Sequence, residues 1–381
     1  MDAAERRRWI AAPRILAAFG ILWTLAWWSR LGGGILVLAL MLAPAVIVPL
    51  GLALAAREPP GRVARAPDLP LAYRAAVVLL PLDVLASTIG WAWPPGHRDA
   101  VLFAVVHLVV CGLVALFGVT RLARRMQEGG LLGLFSSPPS PPSPPSPPSP
   151  PSPPSPPSPP SPPSPPSPPP AAAIPELAVD VGLLLLPIGS VWLLASRAGS
   201  PLLGFHEPIV TLTAAHFHYA GFAAPVILGG AGRAFALAEA KTALAYRIAT
   251  LTVCAGIPLT AIGITTTHAV EATAAVLLAC GMLLACALLV AVVPRRAAPR
   301  SMVAAALFAL AGLALLGTMG LAATFALTSS AGRSSTFSGP LSVHTMIDLH
   351  GGGNALGFAL CALVALTLVD RADGADRADR A

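Results

Sequence analysis

Ten apolar stretches, each long enough to cross a lipid bilayer, follow one another along this chain of 381 residues. The hydrocarbon core of a bilayer is about 30 Å thick and takes about 20 apolar residues as helix. Because backbone N–H and C=O groups find no water there, such segments must be helical. The stretches are residues 10–30, 33–56, 75–94, 100–121, 177–196, 208–230, 248–267, 270–293, 302–328 and 343–369. The sequence therefore predicts an all-α, polytopic transmembrane helix bundle of about ten spans.

The composition of the chain supports a lipid environment. Hydrophobic residues make up 55% of the sequence and charged residues only 11%, whereas a soluble domain is about a quarter charged. The net charge of +7 could indicate a nucleic-acid partner, but that requires a basic patch interleaved with aromatic residues. Here the basic residues are scattered between the apolar stretches. We expect the lipid bilayer as the main partner and no nucleic acid.

The distribution of Lys and Arg predicts the orientation of the spans. If the N-terminus lies inside, the segments on the cytoplasmic side contain 20 of the 24 basic residues and the outer segments contain 4. Short cytoplasmic loops of membrane proteins are enriched in Lys and Arg in this way. Both termini and the central linker are therefore predicted to be cytoplasmic.

A run of Pro-Pro-Ser triplets divides the chain. Proline fixes φ and lacks an N–H, so this run cannot form a helix and should be an extended, disordered polyproline II spacer. We predict an N-terminal half of four helices over residues 1–135 and the Pro/Ser-rich linker over 136–172. A C-terminal half of six helices follows over 173–371, and a short charged tail over 372–381.

The segment from His216 to Phe222, His-Phe-His-Tyr-Ala-Gly-Phe, places ionisable groups inside the sixth predicted span. An unpaired ionisable group at such depth costs roughly 2.5 kcal/mol or more, so it usually faces protein or water and marks a functional site. Residues two apart on a helix point away from each other. We therefore expect His218 to lie on the same face as Glu207, and His216 to meet a different neighbour.

Further polar residues lie in the middle or outer part of other predicted spans. In the last span His350 and Asn354 are four residues apart and share a helix face. An ionised carboxylate near the middle of the third span is costly, so we expect Asp83 to be protonated, paired with a group such as His107, or in contact with a wet cavity. The candidate residues for binding a proton or a small substrate are His216, His218, Tyr219, Glu207, His350, Asn354, Asp348 and Asp83.

Imidazoles and carboxylates on neighbouring helices can also bind a transition metal, hold a haem axially or pass protons. A transition metal or a haem is therefore an open possibility as cofactor. The five cysteines form no C-x-x-C pair, so we expect free thiols in packed helices. The candidate metal ligands are His216, His218, His268 and His350.

Two sequence blocks carry a family resemblance. Residues 212–222, LTAAHFHYAGF, together with His350-Gly-x-x-Asn-Ala-Leu-Gly-Phe in the last span, resemble the YndJ-like family of bacterial membrane proteins. The likeness covers mainly residues 205–369. It implies a multi-pass protein of the bacterial cell (inner or plasma) membrane, with its core at the histidines of these blocks, Tyr219 and Asn354. The family is sometimes labelled a transporter family, and the resemblance implies no particular reaction.

Three functions stay open. The first is a transporter-like protein with a His/carboxylate site in the outer half of the membrane, because ionisable groups extend from the rim to the middle of the predicted spans. The second is a membrane-embedded enzyme or redox protein that uses a metal or haem. The third is a non-catalytic sensor or assembly factor. The chain has no H-E-x-x-H, G-x-S-x-G or G-x-x-x-x-G-K-[ST] motif, which disfavours a zinc peptidase, a lipase and an ATP-driven pump. No feature of the sequence predicts the oligomeric state.

Overall fold

A computed structural model describes residues 1–57, 68–127, 173–238, 242–330 and 342–378. Within these ranges the chain is helical and contains no β-strand, which confirms the predicted all-α class. The predicted Pro/Ser linker and the last three residues of the predicted tail lie outside the described residues.

In the part of the chain that the structure describes, ten helices correspond one to one with the ten predicted spans. They are α1 Ala3–Leu31, α2 Ile35–Ala55, α3 Leu71–Ala92, α4 Arg98–Gln127, α5 Ala173–Arg197, α6 (residues 209–234), α7 Ala243–Thr266, α8 His268–Ala291, α9 Met302–Ser330 and α10 Val343–Asp373. A short helix, Val293–Ala297, connects α8 to α9. Most helices start or end a few residues beyond the apolar stretches, because polar residues at the ends continue the helical hydrogen bonding.

In the described part of the chain, nine of these helices are long and apolar enough to cross a membrane. Helix α6 is not among the nine, because two histidines, a tyrosine and several glycines lower its mean hydropathy. Its path nevertheless traverses the bundle. Arg197 at the end of α5 lies at one end of the bundle, whereas Arg233 at the end of α6 returns to Glu176 at the start of α5 and pairs with it. The chain therefore belongs to a multi-pass membrane protein in which α6 crosses among the apolar helices.

The surface of the bundle fits a lipid environment. Large apolar side chains point outward from helices around the bundle, and more than half of the surface of Phe19, Leu71, Val78, Val276 and Leu313 is exposed. An apolar surface spread over many helices is unstable in water and is what a hydrocarbon solvent favours.

One end of the bundle holds a network of buried ion pairs that joins the two halves of the chain. Arg121 on α4 binds Glu176 at 2.6 Å and Asp180 at 2.8 Å, both on α5. Arg233 on α6 binds Glu176 at 2.6 and 2.7 Å, and Arg125 also contacts both carboxylates. These five side chains are at most 13% exposed.

The first and last helices, α1 and α10, are joined by an ion pair at the same end of the bundle. Arg14 on α1 donates to Asp370 on α10 at 2.8 Å, and Arg57, just after α2, pairs with the same carboxylate. The starts and ends of alternate helices thus meet at one level, as the predicted topology requires. Both terminal helices reach this end. That it faces the cytoplasm stays a prediction.

Within the described ranges, three helices change to π-helical hydrogen bonding part-way along their length. The π-helical segments are Ala43–Ile47 in α2, Phe217–Ala223 in α6, and Met346–Gly351 and Gly353–Leu360 in α10. Pro225 lies two residues after the α6 segment and has no N–H to donate to the preceding turn, which accounts for the altered bonding there. The α6 and α10 segments contain most of the candidate polar residues.

Candidate functional site

Three fully buried side chains from three helices form a hydrogen-bonded chain in the interior of the bundle. Asp83 on α3, His107 on α4 and His218 on α6 each have no exposed surface. His107 Nδ1 lies 3.0 Å from both carboxylate oxygens of Asp83. His107 Nε2 lies 2.8 Å from His218 Nε2. The predicted alternative that Asp83 pairs with His107 is therefore the arrangement observed.

The groups that hydrogen-bond to the two ends of the Asp83–His107–His218 series indicate where its protons lie. His218 Nδ1 is 2.7 Å from the carbonyl oxygen of Ala214, which can only accept, so this Nδ1 carries a hydrogen. The Asp83 carboxylate accepts from the Ser87 hydroxyl at 3.0 Å and from His107 Nδ1. The two Nε2 atoms then bond only if one proton lies between them, because two lone pairs repel. With Asp83 ionised, this proton gives the imidazole pair one positive charge, which balances the carboxylate and leaves the group neutral in its apolar surroundings.

Cys111 completes this group from the next turn of α4. Its sulfur lies 3.4 Å from His107 Nε2, and the residue is fully buried. His107, Cys111 and His218 each present one ligand-type atom, and the three atoms lie within 4.8 Å of one another. Asp83, His107, Cys111 and His218 are called the buried site below.

His216 points away from the buried site, as helix geometry predicts. Its ring stacks on that of His350 in α10, with centroids 6.4 Å apart. The His350 Nδ1–H donates to the carbonyl of Thr318 at 2.9 Å, and its Nε2 accepts from Asn354 at 3.2 Å. The Thr318 hydroxyl donates to Asn354 at 2.8 Å. The predicted His350–Asn354 contact is present, in a second polar cluster between α6, α9 and α10.

The remaining candidate residues lie elsewhere. The Tyr219 hydroxyl is buried and donates to the carbonyl of Ala39 in α2 at 2.7 Å. Glu207 accepts from the Thr211 hydroxyl at 2.7 Å near the exposed start of α6, and Asp348 is exposed on α10. His268 begins α8, but its side chain lies outside the described residues. Of the four proposed metal ligands, His218 joins the buried site, whereas His216 and His350 join the second cluster.

A small cavity lies beside the buried site, with room for about one water molecule. It is lined by Ser87, Trp91 and Arg197 among others, at the end of the bundle opposite the ion-pair network. The Arg197 guanidinium donates to the carbonyl of Gly90 at 3.1 Å and lies 4.5 Å from the Trp91 ring. Because Ser87 also donates to Asp83, this cavity is one hydroxyl group away from the buried carboxylate.

From the sequence, Cys111 was interpreted only as a structural thiol, and His107 was not included among the candidate site residues. The available signal was the i,i+4 spacing of His107 and Cys111, which places both side chains on one face of α4. That spacing is common in helices and becomes informative only when another helix supplies a facing histidine.

Gly189 on α5 makes room for His218. A Cβ at this position would lie 2.8 Å from His218 Nδ1 and 2.9 Å from the Phe217 Cβ. We expect Gly189→Ala to lower the free energy of unfolding by about 1–3 kcal/mol through overpacking and to displace the His218 ring. Thermal unfolding of the detergent-solubilised protein measures the effect. In Gly112→Ala, the matched control on α4, the new Cβ has nothing within 4 Å. Equal unfolding temperatures for the two variants would contradict the tight fit.

These observations define a polytopic membrane protein with an ionisable site buried inside the helix bundle. The family model described as YndJ-like protein matches residues 168–358, half of the chain, and the chain belongs to this family. The comparisons found no match among curated proteins or solved structures. The matched region includes His218 but not Asp83, His107 or Cys111, so the buried site is completed by helices that precede it.

Proposed function

We propose that this protein is a transporter-like protein of the bacterial cell membrane that binds a small cation at the buried site. The observation that carries the proposal is the chain from Asp83 through His107 to His218, which joins three helices. Lipid-exposed apolar helices support the membrane location, and the family resemblance supports a bacterial source.

The energetics of the buried site favour a functional role. Ionisable groups inside a membrane bundle are costly and commonly mark ion or proton pathways. A structural hydrogen bond across a helix interface needs only one neutral donor and one acceptor. Here a carboxylate and two imidazoles are combined so that one additional cation, a proton or an ion in its place, makes the group neutral. Such a site binds and releases a cation.

Two features near the buried site support movement of a cation. The cavity beside Ser87 lies on the side of the carboxylate toward the end of the bundle that the basic residues predict to be outside. On α6 and α10, the π-helical segments have backbone bonds that can shift between patterns, and such segments often lie at functional sites. Small rearrangements of α6 therefore alter the distance between His107 and His218.

Haem ligation by the His107–His218 pair has no support in this geometry. Two axial imidazoles on one iron need their Nε2 atoms about 4 Å apart, twice a usual metal–nitrogen bond. The observed separation is 2.8 Å, and a macrocycle between the rings would require α4 and α6 to separate.

Cation movement through the buried site can be measured in liposomes that contain the purified protein and a pH-sensitive dye. Protons are driven first by an imposed membrane potential and, in a second arm, by adding Zn²⁺ outside, so that both uniport and exchange are detected. We expect the wild type to change the luminal pH in at least one arm. Asp83→Asn should reduce the change to that of protein-free liposomes, because the amide cannot balance a cation on the imidazoles.

Asp99→Asn is the matched control for this experiment. Asp99 is partly exposed at the start of α4 and interacts with Arg98 and His97 outside the buried site. This variant should move protons as the wild type does. If the wild type and Asp83→Asn behave alike in both arms, the proposed function is wrong.

A further inference from the structure

The buried site has the donor set of a transition-metal site. Among the described residues, His107, Cys111 and His218 each offer one ligand-type atom within 4.8 Å of the other two, and all three residues are fully buried. We propose that they bind a divalent transition-metal ion of the Zn²⁺ class, which is the cation substrate of this protein. The assignment as substrate rests on the proposed function, whereas the binding site itself does not.

The second nitrogen of each imidazole is oriented as in metal sites. A metal-bound histidine usually donates its other ring N–H to a carboxylate or a backbone carbonyl, which fixes the tautomer and directs the free lone pair. His107 Nδ1 faces the Asp83 carboxylate, and His218 Nδ1 faces the Ala214 carbonyl. Both Nε2 atoms are thereby left to face a common ligand. The partners of the two Nδ1 atoms therefore support a metal site independently of the short distances between the ligand atoms.

The spacing of the ligand atoms is close to that required. With metal–nitrogen bonds of about 2.0–2.1 Å and metal–sulfur bonds of about 2.3 Å, a tetrahedral ion places two nitrogens about 3.3 Å apart and a nitrogen and sulfur about 3.6 Å apart. The two Nε2 atoms are 2.8 Å apart, and His107 Nε2 is 3.4 Å from the Cys111 sulfur. A shift of about half an ångström in one ring brings the two Nε2 atoms to the separation that a tetrahedral ion requires.

The charges and ligand types of the buried site indicate which class of ion it binds. On binding, the proton shared by the two Nε2 atoms and the Cys111 thiol proton are both released, and no electrons are transferred. The thiolate and the Asp83 carboxylate then contribute two negative charges, which neutralise a divalent ion in the apolar interior. Nitrogen and sulfur ligands favour Zn²⁺ and similar ions over Mg²⁺ and Ca²⁺, which prefer oxygen. Three protein ligands leave a fourth position open, as exchange of a substrate ion requires.

The test is a titration of the full-length protein, purified in detergent and stripped with a chelator, using Co²⁺ as a spectroscopic probe of zinc sites. We expect the intense visible bands of tetrahedral Co²⁺ and a thiolate-to-cobalt charge-transfer band, both abolished by competing Zn²⁺. Cys111→Ser should lose the charge-transfer band. Asp83→Asn should retain the band but weaken binding by ~10–100-fold or more, because it removes the carboxylate that orients His107 and supplies one of the two negative charges that balance the ion.

Cys286→Ser is the matched control, since Cys286 is also buried and its thiol donates to the Gly312 carbonyl at 3.1 Å, between α8 and α9. Its Co²⁺ spectrum should equal that of the wild type, and size-exclusion chromatography confirms that each variant is folded. An unchanged spectrum in folded Cys111→Ser, or no Co²⁺ binding by the folded wild type, overturns the metal site.

The proposed transport function and the proposed metal site can each be contradicted without the other. Asp83-dependent proton movement in liposomes without Co²⁺ binding in detergent removes the metal site and leaves the proposed function. Cys111-dependent Co²⁺ binding without cation movement in either liposome arm removes the proposed function and leaves a metal-binding membrane protein.

Discussion

Replacing Glu176 with alanine is expected to lower the free energy of unfolding by about 3–5 kcal/mol, because it leaves buried guanidinium groups without their carboxylate. Glu176 accepts from Arg121 at 2.6 Å and from two nitrogens of Arg233 at 2.6 and 2.7 Å, and Arg125 approaches it at 3.5 Å. Together with Asp180, the network has three positive and two negative groups. Without Glu176 it has three positive groups and one negative group.

The loss should be measured as the free energy of unfolding in mixed detergent micelles of increasing denaturing-detergent content. Glu176→Gln is the informative second variant, since it keeps the shape and some hydrogen bonds but removes the charge. Its loss should be smaller than that of Glu176→Ala. Arg98→Ala is the control, because Arg98 is 92% exposed and its pairing with Asp99 is screened by solvent. If Glu176→Ala unfolds at the same denaturing-detergent content as Arg98→Ala, the network does not stabilise the fold.

The same network explains one limit of sequence reasoning. The Arg residues at helix ends were interpreted only as a topology signal, and Glu176 and Asp180 were not recognised as their partners. Both carboxylates lie in the first two turns of α5, and nothing in a linear sequence indicates which arginines reach them. Arg121 and Arg125 come from before the proline-rich run, and Arg233 from the end of α6.

The helices themselves were predictable because the bilayer imposes a length and an apolar composition on each span. The opposite facing of His216 and His218 was also predictable, since it follows from their spacing of two residues. Which helices pack against the two faces of α6 was harder to predict. His107 was considered only as a partner for Asp83, and its contact with His218 depends on how α4 and α6 pack, which hydropathy does not determine. The π-helical bonding of α6 likewise depends on the local position of Pro225, which hydropathy does not register.

The second large expected effect concerns the pairing of Asp83 with His107. Replacing one member of the pair should lower the free energy of unfolding more than replacing both. His107→Leu should lower the free energy of unfolding by about 3–5 kcal/mol, because the fully buried Asp83 carboxylate keeps only the Ser87 hydroxyl as a partner. Replacing both groups removes the uncompensated charge. The double variant Asp83→Ala with His107→Leu nearly conserves the combined volume of the pair and should therefore be more stable than His107→Leu alone.

The comparison needs the free energies of unfolding of the wild type and the two variants under one set of micelle conditions. The order expected is wild type, then the double variant, then His107→Leu. A single variant as stable as the double variant would show that the carboxylate is neutral or hydrated without His107. In that case the imidazole would not be needed to balance it, and the charge accounting that assigns a cation to the buried site would fail. The stability order therefore tests the electrostatic basis of the site without knowledge of the substrate.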